Sequence, residues 1–86
     1  MSEYVEARYA KLILREARSA NDAEASRIVN DLLRDLSPLH RSNAARAQAL
    51  TSIRMLALSL DRPQSHLREW EAVDQATEAW CRNAYH

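Results

Sequence analysis

Apolar residues recur every third or fourth position in four stretches of the chain, the spacing that gives a helix one buried face. In the first stretch Val5, Tyr9, Leu12, Ile13 and Ala17 share a face. The second keeps the rhythm with Ala25, Ile28, Val29, Leu32, Leu33 and Leu36, and the third with Ala49, Leu50, Ile53, Leu56, Ala57 and Leu60. The fourth, Trp70, Val73, Thr77, Trp80 and Ala84, alternates steps of three and four like a coiled-coil seam. Cap residues punctuate these stretches. Asn21 with Glu24 three positions on reads as a capping box, and Ser37 before Pro38 as an N-cap with proline in the first helical position. Asp61 with Pro63 and Gln64 is a third start signal. Together they predict helices over 3–19, 22–36, 39–60 and 62–84. Short connections make successive helices antiparallel, so the expected fold is all-α, a small antiparallel bundle of about four helices in a single domain over 1–86. The weakest break is at 21–22, where Ile13, Ala17, Ala20, Glu24 and Ile28 roughly continue one long rod.

Composition sharpens this picture. The chain has no glycine and two prolines, which favours helix throughout and excludes every mechanism built on a Gly-rich phosphate loop. Alanine contributes 15 of its apolar residues and phenylalanine none, so the expected core is thin. A chain of this mass buries roughly 64% of its surface on folding, a marginal core that a partner would reinforce.

Twelve basic side chains balance twelve acidic ones for a formal net charge of zero. That excludes a generally basic nucleic-acid coat and an acidic tail protein. The N-terminus is charged throughout and lacks the apolar core of a signal peptide, and no run approaches the roughly 20 apolar residues of a membrane span. Cys81 is the one cysteine, so no internal disulfide forms and a cytoplasmic location is expected. Every basic residue except Lys11 is arginine, the bias of a GC-rich bacterial or phage genome.

A search for chemistry is mostly negative. Cys81 is the only thiol and His40, His66 and His86 are the only imidazoles, with no spacing that sets one against another. An inert buried thiol is the expected role of Cys81, and a reactive or inter-chain thiol the alternative. His66 and Glu69 stand i, i+3 on one helix, a feasible bidentate pair, yet no glutamate precedes a histidine by three as a di-iron bundle requires. The expectation is therefore no catalytic residue, no metal, no cofactor and no enzyme. Glu69, Glu71, Asp74 and Glu78 give the fourth helix an acidic side, a solvated face or an acidic docking surface. Arg41, Arg46 and Arg54 make helix three locally basic, an asymmetry readable by a partner or by a twin in an antiparallel dimer.

Two functional readings remain. Met55 and Leu58 lie off the helix-three stripe, so a second side of that helix is apolar. With Arg54 beside them and Trp70 and Trp80 on the last helix, these residues are the candidates for docking a protein partner or a second copy, since Trp and Arg often anchor interfaces. The expected function is thus a small non-catalytic protein-interaction module: a regulator, an adaptor, a chaperone-like cap or a phage-type inhibitor of a host complex. The alternative comes from residues 57–70, which resemble the turn and second helix of a bacterial helix-turn-helix. Ala57, Leu60, Leu67 and Trp70 match its packing positions. The resemblance implies a DNA-binding regulator in which Arg62, Gln64, Ser65 and Arg68 meet the DNA. The segment departs from that pattern at Asp61, where glycine is usual, and at Arg62, commonly apolar; Glu69, Glu71 and Asp74 would repel phosphate.

Overall fold

The computed structural model describes residues 2–36 and 43–84. Four helices make up the described chain: α1 (Glu3–Arg18), α2 (Asp22–Leu36), α3 (Ala44–Leu60) and α4 (Leu67–Ala84). Each packs on the next, and α4 returns to α1, so the helices form a closed ring around one apolar core. Consecutive neighbours run antiparallel, as short connections dictate. The Ser37–Pro38 cap, the start of helix three at 39, His40, Arg41 and His86 lie outside the described residues.

Local chemistry fixes the helix ends. Ser2 caps α1 by accepting from the Val5 amide at 3.2 Å, Glu3 and Glu6 lie in its first turn, and Arg15 and Arg18 in its last, all with the favourable sign for the helix dipole. Asn21 separates α2 from α1, its Oδ1 accepting from the Glu24 amide at 2.9 Å. The expected return contact of the capping box is replaced, because the Glu24 carboxylate pairs with Arg27, which holds its pKa below the usual carboxylate value. The first described cap of α3 is Asn43, whose Oδ1 takes the Arg46 amide at 2.8 Å. Asp61 is a correction. It does not open α4 but closes α3 in a right-handed conformation, and residues 61–66 form a connection before Leu67. Pro63 therefore sits in that connection rather than in a first helical turn.

The core follows the sequence pattern in α2, α3 and α4. Ala25, Val29, Leu32 and Leu36 are buried in α2, and all six stripe residues of α3 are buried. In α4 the seam Trp70, Val73, Thr77 and Trp80 points inward. Helix α1 is turned away from its predicted face. Ala7, Ala10, Leu14 and Ala17 face the core, whereas Val5, Tyr9 and Leu12 are exposed and Ile13 is only partly covered. Three alanines on the inner face let α1 sit close to both neighbours. Its flank then reaches α4 through the ion pairs Lys11–Glu78 and Arg18–Asp74. The Lys11 hydrogen bond holds the Glu78 carboxyl below its ordinary pKa. Both pairs are largely solvated, so they orient the helices more than they stabilise them.

A polar cluster closes each end of the bundle. At one end the Arg46 guanidinium is buried, giving Nε to Glu6 Oε1 at 3.0 Å and Nη2 to the Leu36 carbonyl at 2.7 Å. Glu3 there accepts from the Trp80 indole at 3.2 Å and also from Asn43. Arg46 is thus spent on a buried ion pair and does not add to the basic side expected of helix three. The other end holds Asp22, Ser59 and His66 and lies under the candidate interaction face.

Candidate interaction face

The outward side of α3 is built by what its inward sides need. Ile53, Leu56 and Leu60 fill the core while Ala49, Leu50 and Ala57 widen the contact, so Ala44, Ala47, Thr51, Met55 and Leu58 are left facing out. Met55 is 58% exposed and Leu58 65% exposed. The Thr51 hydroxyl is turned back onto the Ala47 carbonyl at 3.0 Å, which leaves its methyl group outward. Arg54 is exposed beside them and is the one charged side chain on this face of α3 between 44 and 58. Apolar side chains this exposed cost free energy in water, which a covering partner would recover at about 25 cal/mol per Å².

Met55 and Leu58 also line an open cleft of about 460 Å³ together with Ser59, Asp61, Arg62, Gln64 and Glu69. Ser59 belongs to a three-residue chain. Its Oγ lies 2.7 Å from His66 Nδ1, and His66 Nε2 lies 3.1 Å from Asp22 Oδ2. A carboxylate only accepts, so Nε2 carries the proton toward Asp22, and in neutral His66 the hydroxyl donates to Nδ1. The Gln64 amide donates to the same hydroxyl at 3.3 Å, and Glu69 Oε1 lies 3.4 Å away as a second acceptor.

These are the residue types of a hydrolytic triad, but the setting is wrong for one. Ser59 is buried at the carbonyl end of α3, where the helix dipole opposes negative charge, and the Glu69 carboxylate lies 3.4 Å from its hydroxyl, adding more negative charge beside it. What the chain does is tie the 61–66 connection to α2 and α3. Ser26 adds a hydrogen bond to Asp61 at 3.3 Å. Ser59→Ala removes the partner of a buried ring nitrogen and is expected to cost about 1–3 kcal/mol in urea unfolding. Asp22→Asn, at an exposed carboxylate, is expected to cost less than that.

The remaining candidates are placed differently from expectation. Trp80 is fully buried and Trp70 nearly so, which removes both from the partner-contacting set. Their rings are held from within the protein, Trp80 under Arg46 at 5.8 Å and Trp70 beside Arg18 at 5.9 Å. The helix-turn-helix placement is corrected in its geometry. No described residue has a positive φ, so the tight left-handed turn is missing, and Gln64 and Ser65 precede α4 instead of riding on it. Gln64 is engaged with Ser59, the Ser65 hydroxyl accepts from the Leu67 amide at 3.4 Å, and Leu67 is exposed where the motif would bury it. Ala57, Leu60 and Trp70 do pack at the matched positions, and Arg62 and Arg68 are exposed. Burial pushes the Cys81 thiol pKa up, away from the reactive thiolate.

Among the described residues no group of three or more His, Cys, Asp or Glu side chains is arranged to hold a metal ion, and no helix is long and apolar enough to cross a membrane. No protein-family model, curated protein or solved structure matches the chain.

Proposed function

We propose that this protein is a non-catalytic interaction module that docks another protein chain on the outward face of α3, with Met55 and Leu58 as anchors and Arg54 and Arg62 at the rim. The observation that carries it is the exposure of two large, flexible apolar side chains on a helix whose inward faces are already filled. A regulator, an adaptor or an inhibitor of a larger complex would each use such a face. Methionine suits the role, because its unbranched thioether adapts to the shape of what covers it. The arginines supply orientation and encounter rate more than affinity.

Leu58→Glu tests this directly. An exposed position tolerates substitution within about 0.5 kcal/mol, so the variant is expected to keep its helical circular dichroism and its unfolding midpoint. Partner capture, read in a quantitative pull-down against the parent chain, should fall at least tenfold. Unfolding of the variant, or capture at the parent's level, would overturn the assignment.

A further inference from the structure

On the same face, and resting on the docking role proposed for it, we infer that the occupant is a second copy of this chain, laid antiparallel across α3 with the twofold axis at Thr51. The face is self-complementary about that point. Small side chains, Ala44 and Ala47, occupy its N-terminal half, and large ones, Met55 and Leu58, its C-terminal half. A twofold at Thr51 sets Leu58 of one copy against Ala44 of the other and Met55 against Ala47. Large therefore meets small along the whole contact, which allows close approach of the two helices. Thr51 meets its own twin through outward methyl groups, its hydroxyl being spent on the Ala47 carbonyl. A closed pair of this kind is the commonest symmetry of protein assemblies.

Charge selects the same orientation. The other three helices carry acids in the first turn and a base in the last, while α3 has neither. Antiparallel pairing lays the N-terminus of each α3 beside the C-terminal end of its twin, where exposed Asp61 supplies the missing acid. A parallel pair would instead stack large on large.

Size sets the strength. From Ala44 to Leu58 the stripe is about 21 Å long on a helix about 10–12 Å across. That is less than the roughly 600 Å² per partner of the smallest standard interfaces. The dimer is accordingly reversible and depends on concentration.

Sedimentation velocity of the full chain from micromolar to millimolar concentration is expected to show a shift from monomer to dimer, and Leu58→Glu is expected to abolish it. Register is read by cysteine pairing under mild oxidation, with the parent chain as the control for Cys81. Thr51→Cys should cross-link to itself. Leu58→Cys should not, because its twin lies about 21 Å away and a disulfide needs Cα atoms closer than about 7 Å. A mixture of Ala44→Cys and Leu58→Cys should cross-link as a heterodimer. A chain that is monomeric at every concentration overturns the dimer, while the docking role still stands or falls by the pull-down with Leu58→Glu. Self-cross-linking of Leu58→Cys as fast as that of Thr51→Cys overturns the antiparallel register.

Discussion

Arg46→Ala is expected to lower the unfolding free energy by about 3–5 kcal/mol, the cost of breaking a buried ion pair by removing one partner. For a chain of this length, whose whole stability is on the order of 4–13 kcal/mol, that is a large share. Arg46 is 2% exposed. Its guanidinium meets three groups at once: Glu6 at 3.0 Å, the Leu36 carbonyl at 2.7 Å and the face of Trp80 at 5.8 Å. Truncation strands the Glu6 carboxylate in a nearly dry site and leaves a carbonyl at the end of α2 without its donor. The comparison that isolates this cause is the double variant Glu6→Leu with Arg46→Met. Apolar groups of similar volume in place of both charges are expected to recover most of the loss, since the desolvation cost vanishes with the pair. Urea unfolding of the two single variants and the double variant gives the coupling. A cost below about 1 kcal/mol for Arg46→Ala would mean a solvated pair, of the kind that surface measurements give.

Arg46 also shows what the sequence holds and how it is missed. Its position falls on the inward stripe of α3, three and four residues before Ala49 and Leu50, so spacing alone marks it as a core position. Its charge argues for solvent, and only a partner 40 residues away reverses that argument. Where large apolar residues have no rival face, as in α2 and α4, the stripe is legible and the structure follows it; in α3 the six-residue stripe outweighs the two residues off it, Met55 and Leu58. In α1 two faces compete, one of Val5, Tyr9 and Leu12 and one of alanines with Leu14. A reading weighted by side-chain size picks the first, but close packing between neighbours selects the second.

Helix ends divide in the same way. Asn21 is legible because its cap is a local contact. Asp61 carries the residue type of a start, yet its backbone closes the preceding helix. The candidate face was legible in part: Met55 and Leu58 stand out as apolar residues off the stripe. The Ser59–His66–Asp22 chain beneath them was not, because His66 lies seven residues from one partner and 44 from the other. No local spacing encodes a contact that only the folded bundle brings together.

Trp80→Ala is the second large effect, expected at about 3–5 kcal/mol for loss of a fully buried aromatic ring with the cavity that remains. The ring has no exposed surface. It also gives its indole proton to Glu3 at 3.2 Å and lies under the Arg46 guanidinium, so truncation removes packing, a hydrogen bond and a cation–π contact together. Trp80→Phe separates them. It keeps an aromatic ring beneath Arg46 and loses mainly the indole donor and some volume, for an expected cost of about 1–2 kcal/mol. Trp70 remains in each variant as a fluorescent reporter of unfolding. Because Trp80 acts through the core, its loss should lower the folded fraction without changing the affinity of the folded chains for whatever covers α3. Titrations under conditions where both proteins are fully folded should therefore coincide for Trp80→Phe and the parent. A Trp80→Ala variant as stable as the parent but deficient in partner binding would return the ring to the interface and displace the α3 face from that role.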